Sequence, residues 1–277
     1  EEDRVKLKHY RSRGERLLKT PLFIVYAQVN RETMLDLQPG RSVVETFLAA
    51  GLDVYMLDWG YPTRKDRFLN LDDHVNGYID GAVDFILEEH GLDQLNIMAI
   101  CQGGTMSVMY AALHPEKVKY VGLMENIHSK DFVENFVRME RWIFDSPDLP
   151  GEAFRDFIQW MFIENRLIKN ELVLGGNKVD LKNITMPVLN IYGKFDHLVP
   201  PAACDQTTSK IGSTDKEDLC LDTGHIGIYV SSKTQRQFGP KIIRWLTERD
   251  ESPEPVHAET KKTAPKKKKA APAADEE

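Results

Sequence analysis

Several runs in this chain are apolar at all or nearly all positions, and that restricts its fold more than any other feature. PLFIVYA at 21–27, VYML at 54–57, LNIMAI at 95–100 and VLNIY at 188–192 are the clearest. A strand with one wet face alternates apolar and polar residues. A run without alternation belongs to a strand covered on both faces, the situation inside a parallel sheet. Residues 120–124 supply another such run and 219–221 a weaker one. Helical patterns fill the intervals at 42–50, 74–90, 103–114 and 235–249. In the second of these, Val75, Ile79, Val83, Phe85 and Ile86 fall close to helical spacing and Gly91 supplies the stop. In the last, Phe238, Ile242, Trp245 and Leu246 share one stripe. Alternating strands and helices predict a doubly wound α/β domain with a mostly parallel sheet.

Residues 132–172 break the alternation. They are rich in Phe, Trp and Met and carry no clear strand, which predicts a helical cap inserted over the sheet. Beyond Asp250 the composition turns to Pro, Glu, Ala and Lys, and 251–277 is expected to be a disordered charged tail. The expected organisation is a catalytic core from 1–124 and 173–250, a cap region from 125–172, and the tail. At 277 residues, 42% hydrophobic and 29% charged, the chain has the balance of a soluble globular protein. No apolar run approaches the roughly 18 residues that span a bilayer. The start does not read as a secretory signal, and because it is Glu1 and not Met an upstream targeting segment is left open. Three cysteines, Cys101, Cys204 and Cys220, make no disulfide framework and have no zinc spacing, so a cytoplasmic, reducing location is expected. The net charge of −7 argues against nucleic acid as a partner. The tail holds equal numbers of Lys and acidic residues and does not set that charge.

The chemistry centres on Ala99-Ile100-Cys101-Gln102-Gly103-Gly104, at the end of one expected strand and the start of a helix. Small-x-nucleophile-x-Gly in that context is a nucleophile elbow: small residues permit a tight turn that exposes the nucleophile. The helix N-terminus under Cys101 favours its thiolate, and the Gln102 N–H becomes one oxyanion donor. An inert cysteine beside a Gly-rich turn is the plain alternative, and chain order weighs against it. In the hydrolase-type triad the acid and then the His follow the nucleophile, on loops after later strands. Asp196 follows the run at 188–192, and His225 lies between Gly224 and Gly227 after the last expected strand. The second oxyanion N–H in such folds comes from a loop after an early strand, here Gln28-Val29-Asn30-Arg31, with Val29 the expected donor. Cys204 and Cys220 are expected to be packing residues, and Asp58-Trp59-Gly60 a structural turn more than a pocket wall. His197 is a candidate for a supporting role beside Asp196. His74, His90, His114 and His128 have no companion at metal-ligand spacing, so no metal is expected.

With AICQGG around Cys101, DHLVPP from Asp196, GHIGIYVS around His225, DWGYP at 58–62, the VNR loop and RMERWIFDSPD at 138–148, the sequence resembles the polyhydroxyalkanoate synthases, most closely the class III catalytic subunits, over about 20–249. Ala99 stands where that family has Gly, the region after 120–124 is shorter than the family's cap, and the tail is outside its pattern. The resemblance implies an α/β-hydrolase fold and polymerisation of (R)-3-hydroxyacyl-CoA, above all 3-hydroxybutyryl-CoA, through a Cys101 acyl intermediate with release of CoA. It implies no cofactor apart from the CoA carried by the substrate. It also implies a PhaE-type second subunit, self-association, and work on or near polyester granules. Within it, Asp196 helps activate the incoming hydroxyl, through His225 or directly. Two other readings stay open: a Cys-dependent thioesterase or lactone hydrolase that admits water, and a non-enzymatic hydrolase-fold scaffold.

Overall fold

In the computed structural model, residues 2–125, 148–196, 199–225 and 227–250 are described. The apolar runs become the interior of a seven-stranded sheet. Its strands are β1 (Lys6–Tyr10), β2 (Leu22–Val25), β3 (Val54–Asp58), β4 (Leu95–Ile100), β5 (Val118–Glu125), β6 (Val188–Gly193) and β7 (Lys216–Leu221). The spatial order is β1-β3-β2-β4-β5-β6-β7. Every neighbouring pair is parallel except β1 with β3. In β2, β4 and β6 every residue is buried, which is why none of them alternates.

Alternate residues of the central strands feed two separate cores. On one face Phe23, Val25, Tyr55, Ile97 and Ala99 pack with Val83 and Ile86 of α2 (Asp80–His90) and Met106 and Met109 of α3 (Gln102–Leu113). On the other, Leu22, Ile24, Met56 and Met98 pack with Phe47 of α1 (Val43–Ala49) and with Phe238, Ile242, Trp245 and Leu246 of the last helix. Ser42 caps α1, its hydroxyl accepting from the Glu45 amide at 2.8 Å. The chain runs from β2 out to β3 and then returns across β2 to β4. The carboxyl ends of β2 and β4 are therefore the switch point, where open α/β sheets place their sites.

Several sequence expectations change. Two edge strands escape the apolar criterion: β1 (KLKHY) is not anticipated at all, and β7 (KEDLCL) is longer than its apolar end at 219–221. Each pairs on one side only, and polar residues face water there. Cys220, expected to be a packing residue, is exposed on β7, whereas Cys204 is buried. Phe85, assigned to the buried stripe of α2, is 54% exposed. The helix containing it opens as a π-helical turn, Asp73–Ile79, before becoming α2, and ends at Gly91 with φ 60°.

Of the cap expectation, 148–172 is described and 126–147, with Trp142 and Phe144, lies outside the described residues, as do His128, His197 and the tail. The described part holds α4 (Gly151–Phe157), a π-helical turn at Ile158–Ile163 and a short helix at Arg166–Lys169. Phe157 and Trp160 pack on the sheet's core. Phe154 and Phe162, two of the aromatic residues of this segment, are exposed. α5 (Pro201–Lys210) and α6 (Ser232–Thr247) complete the main helices. No described helix is long and apolar enough to cross a membrane.

Candidate active site

The end of β4 explains why small residues surround Cys101. Ala99 is fully buried between Val25 of β2 and Leu123 of β5. Cys101 follows with φ 55° and ψ −124°, a left-handed conformation that costs a non-glycine residue on the order of 1–3 kcal/mol. Its neighbours hold it there: the Cys101 amide donates to Met124 O at 2.8 Å, and its carbonyl accepts from the Gly104 amide at 2.8 Å. The sheet thus ends and α3 begins at a single residue. A Cβ on Gly103 would overlap the carbonyl oxygen of Val25, so glycine there lets α3 sit against the end of β2. The Gln102 and Gly103 amides, in the first turn of α3, have no intrahelical acceptor.

That close approach brings the loop after β2 beside the elbow. The Gln28 amide donates to Gln102 Oε1 at 3.1 Å, and both residues are buried. Gln28's own N–H is therefore occupied. Val29 is partly buried against the same core as Cys101. Sequence reasoning used only the backbone of Gln102 and missed its side chain, which ties two segments 74 positions apart.

The other two residues arrive on loops after β6 and β7. Lys194 N donates to Leu221 O at 2.9 Å and Phe195 N to Thr223 O at 3.1 Å, so the two loops run as a pair. His225 and Asp196 are buried. His225 Nδ1 lies 2.9 Å from Asp196 Oδ2. The carboxylate can only accept, which puts the proton on Nδ1 and leaves the Nε2 lone pair facing Cys101 Sγ at 3.5 Å. The second carboxylate oxygen accepts from the Val199 amide at 2.8 Å, a contact with no signal in the sequence. Cys101, His225 and Asp196 therefore form one chain of contacts. A thiol, a base holding its lone pair toward it and a carboxylate fixing that base can form and use a thiolate.

The remaining candidates sit elsewhere. Buried Cys204 has Sγ 4.0 Å from Val199 O. His74 is fully buried, with Nδ1 donating to Asn70 O at 2.7 Å and Nε2 3.4 Å from the Arg4 guanidinium. Burial pushes its pKa down to about 4. His90 bonds Tyr55 and His114 bonds Asn76, each at 2.9 Å. Among the described residues no group of three or more His, Cys, Asp or Glu is placed to hold a metal. Asp58-Trp59-Gly60 is a turn, with the Gly60 amide donating to Asp58 Oδ1 at 3.0 Å, but it also lines a cleft. Burial works to raise the Asp58 pKa, yet its bonds from Lys8 and the Gly60 amide outweigh that and hold it below the ordinary carboxylate range.

Sheet order, elbow and contact chain define an α/β-hydrolase-fold protein with cysteine at the nucleophile position. A family model for the alpha/beta hydrolase fold matches residues 32–164. Among solved structures, MenH from S. aureus superposes with a TM-score of 0.60 at 14% identity, over 88% of this chain and 98% of that one. A monoacylglycerol lipase from Paleococcus ferrophilus gives 0.58 at 17% identity, over 89% and 99%. Those two share the fold. Sequence relatives are more specific. The poly(3-hydroxyalkanoate) polymerase subunit PhaC of Allochromatium vinosum is 42% identical over 287 residues, covering 83% of this chain and 81% of the relative. The PhaC subunits of Thiocystis violacea (42% identical, 83% and 81% covered) and Synechocystis (37%, 90% and 83%) agree. This chain belongs to the PhaC family of poly(3-hydroxyalkanoate) polymerases.

Proposed function

We propose that this acyltransferase polymerises (R)-3-hydroxyacyl-CoA, 3-hydroxybutyryl-CoA above all, with Cys101 as nucleophile, His225 as base and Asp196 as its orienting acid. The observation that carries the reading is Cys101 Sγ at 3.5 Å from a His225 whose far nitrogen is fixed by Asp196 at 2.9 Å, in a chain of the PhaC family. His225 takes the thiol proton and the thiolate attacks the thioester carbonyl. The N–H groups of Val29 and Gln102 hold the tetrahedral oxyanion. Its collapse breaks the bond to the CoA sulfur, which leaves with the proton from His225. The 3-hydroxyl of the next unit then attacks the Cys101 acyl carbonyl and passes its proton to His225. An ester bond forms and the Cys101 sulfur is released. Asp196 is buried with one oxygen on His225 and the other on the Val199 amide, which favours action through His225 over direct contact with the hydroxyl. The chemistry needs no cofactor beyond the CoA that the substrate carries.

A PhaE-type subunit docking on the globular body, self-association and a place at the polyester granule belong to the same reading. The test follows CoA release and product from (R)-3-hydroxybutyryl-CoA, with and without a PhaE-type subunit. The expected result is polymer plus CoA, loss of CoA release in Cys101→Ala, most activity kept in Cys204→Ala and Cys220→Ala, and an acyl adduct on Cys101 alone by mass spectrometry. Free 3-hydroxybutyrate without polymer would make the protein a hydrolase.

A further inference from the structure

Gln28 carries a polar group that the resting fold does not use. The residue is 4% exposed, and its carboxamide nitrogen Nε2 is sealed from solvent with no hydrogen-bond partner. A buried donor left unpaired forfeits its hydration and receives nothing in exchange, so each such atom in a folded protein calls for a reason. Packing supplies none here. The flanking Tyr26, Ala27 and Val29 lie in or against the apolar core that Cys101 also packs on, and an apolar side chain of the same size would fill position 28 without that penalty. The backbone does not require glutamine either. The bond that ties this loop to the elbow runs from the Gln28 main-chain amide to Gln102 Oε1 at 3.1 Å, and any residue but proline has that amide.

The place of this orphan is what gives it a use. Gln28 adjoins Val29 in the chain and is hydrogen-bonded to Gln102, the two residues whose amides hold the oxyanion in the steps above. At Gly103 a Cβ would overlap the Val25 carbonyl oxygen and crowd the Tyr26 backbone, so the chain leading to Gln28 lies directly on the first turn of α3. The orphaned donor therefore stands beside the nucleophile, between the two amides. In the bound thioester the carbonyl oxygen is close to neutral. In the tetrahedral intermediate it carries a full negative charge. A carboxamide N–H is one of the side-chain donors that stabilise such a charge. A donor unpaired in the resting protein and paired only as that charge develops acts wholly on the rate, not on ground-state binding.

We propose that Gln28 is a further catalytic residue, its carboxamide turning about the side-chain torsions to give an Nε2–H to the oxyanion beside the Val29 and Gln102 amides, an inference that rests on the reading of Cys101 as nucleophile. Gln28→Met tests it, because this variant keeps the volume and the main-chain bond to Gln102 and removes only the carboxamide. Its acylation burst with 3-hydroxybutyryl-CoA should fall about 10- to 100-fold, at or somewhat below the loss usual for one oxyanion donor. Alkylation of Cys101 by iodoacetamide, which forms no oxyanion, should keep its rate. The melting temperature should not fall, since a buried orphan has been removed. Gln28→Glu puts an acceptor of like charge where the donor was, and above neutral pH its burst should lie below that of Gln28→Met. An unchanged burst in Gln28→Met, a parental burst in Gln28→Glu, or alkylation and melting temperature falling together with the burst would overturn the assignment. The same variants are compared with p-nitrophenyl butyrate, which needs the nucleophile and the oxyanion donors but no CoA. Release of p-nitrophenol without release of CoA by the unmodified protein would mark failure of the acyl-CoA reading alone, and the fall in the p-nitrophenol burst would then decide the role of Gln28. Absence of both releases would overturn the two readings together.

Discussion

Cys101 holds its left-handed backbone because its amide and its carbonyl are both tied, to Met124 O and the Gly104 amide, and the residue after it contributes a second kind of control. The Gln102 side chain accepts the Gln28 amide at 3.1 Å and so sets where the next amide in that loop, Val29, stands. Losing a well-placed oxyanion donor costs about 10²–10³ in rate, and displacing one costs part of that. Gln102→Met keeps the volume and removes the acceptor. Its acylation burst with 3-hydroxybutyryl-CoA should fall about 10- to 100-fold, while alkylation of Cys101 by iodoacetamide, which needs the thiolate but no oxyanion donor, keeps its rate. Parallel loss of both rates would mean that Gln102 acts on the thiol and not on the loop. Gly103→Ala is a different perturbation, because its Cβ meets backbone. It should destabilise the fold by about 3 kcal/mol, and an unchanged melting temperature would contradict the packing described. Cys101 and Asp196 are legible in the sequence because each follows a readable strand, and His225 because it comes last in the fixed order, between Gly224 and Gly227. The side-chain bond from Gln102 and the Val199 amide on Asp196 are not, because each depends on where a loop lies in space and no motif encodes that.

Among the elements, the buried strands announce themselves and the edge strands do not. β1 (KLKHY) and β7 (KEDLCL) are rich in charged residues and pair on one side only, so neither shows the continuous apolar run that marks a buried strand. The π-helical turn at Asp73–Ile79 is equally hidden. Its extra residue per turn leaves the apolar spacing almost helical, yet it carries the fully buried His74. With Nδ1 donating to Asn70 O and Nε2 facing Arg4, that ring is satisfied only when neutral, since a second ring proton would point at a guanidinium. Asp73 and Asp66 pull the pKa the other way and do not prevail over burial, so it lies at about 4 against 6.5. Between those values the unfolded chain binds the proton and the folded one does not. The His74 contribution is therefore complete above about pH 6.5 and is lost as pH falls through about 4, a total on the order of 3 kcal/mol. His74→Asn keeps a donor for Asn70 O and cannot titrate. Urea melts should show the gap in stability between the parent and this variant narrowing by most of that amount from pH 7 to pH 4. A constant gap would mean that His74 is already protonated in the fold.

At the scale of the molecule, the alternation of runs foretells a doubly wound sheet, and the composition shifts after Asp250. The shift does not reveal that Asp250 is itself a fastening. Its carboxylate is fully buried: Oδ1 accepts from the Thr20 hydroxyl at 3.3 Å and Oδ2 from the Thr20 amide at 3.3 Å, and it is ion-paired with Lys119 on β5. Beside it the Arg249 carbonyl accepts from the Tyr120 hydroxyl, and the Arg249 guanidinium grips Asp215 through two bonds of 2.8 Å. The end of α6 is thereby tied to the amino edge of the sheet at three points in the chain, just ahead of β2, on β5 and just ahead of β7. The carboxyl edge, with Cys101, is the far side. Asp250→Ala removes the acceptor for Thr20 and leaves Lys119 without this carboxylate, and breaking a buried pair in that way is costly. Discounting for the partial exposure of Lys119 leaves about 2 kcal/mol, or a fall in melting temperature of roughly 4–8 °C for a domain of this size. Because the tie lies at the opposite edge from the elbow, the acylation burst at 25 °C should be unchanged in the same variant. A burst lost together with stability would show that the two edges are coupled through the sheet, and an unaltered melting temperature would show that α6 is held by its apolar stripe alone.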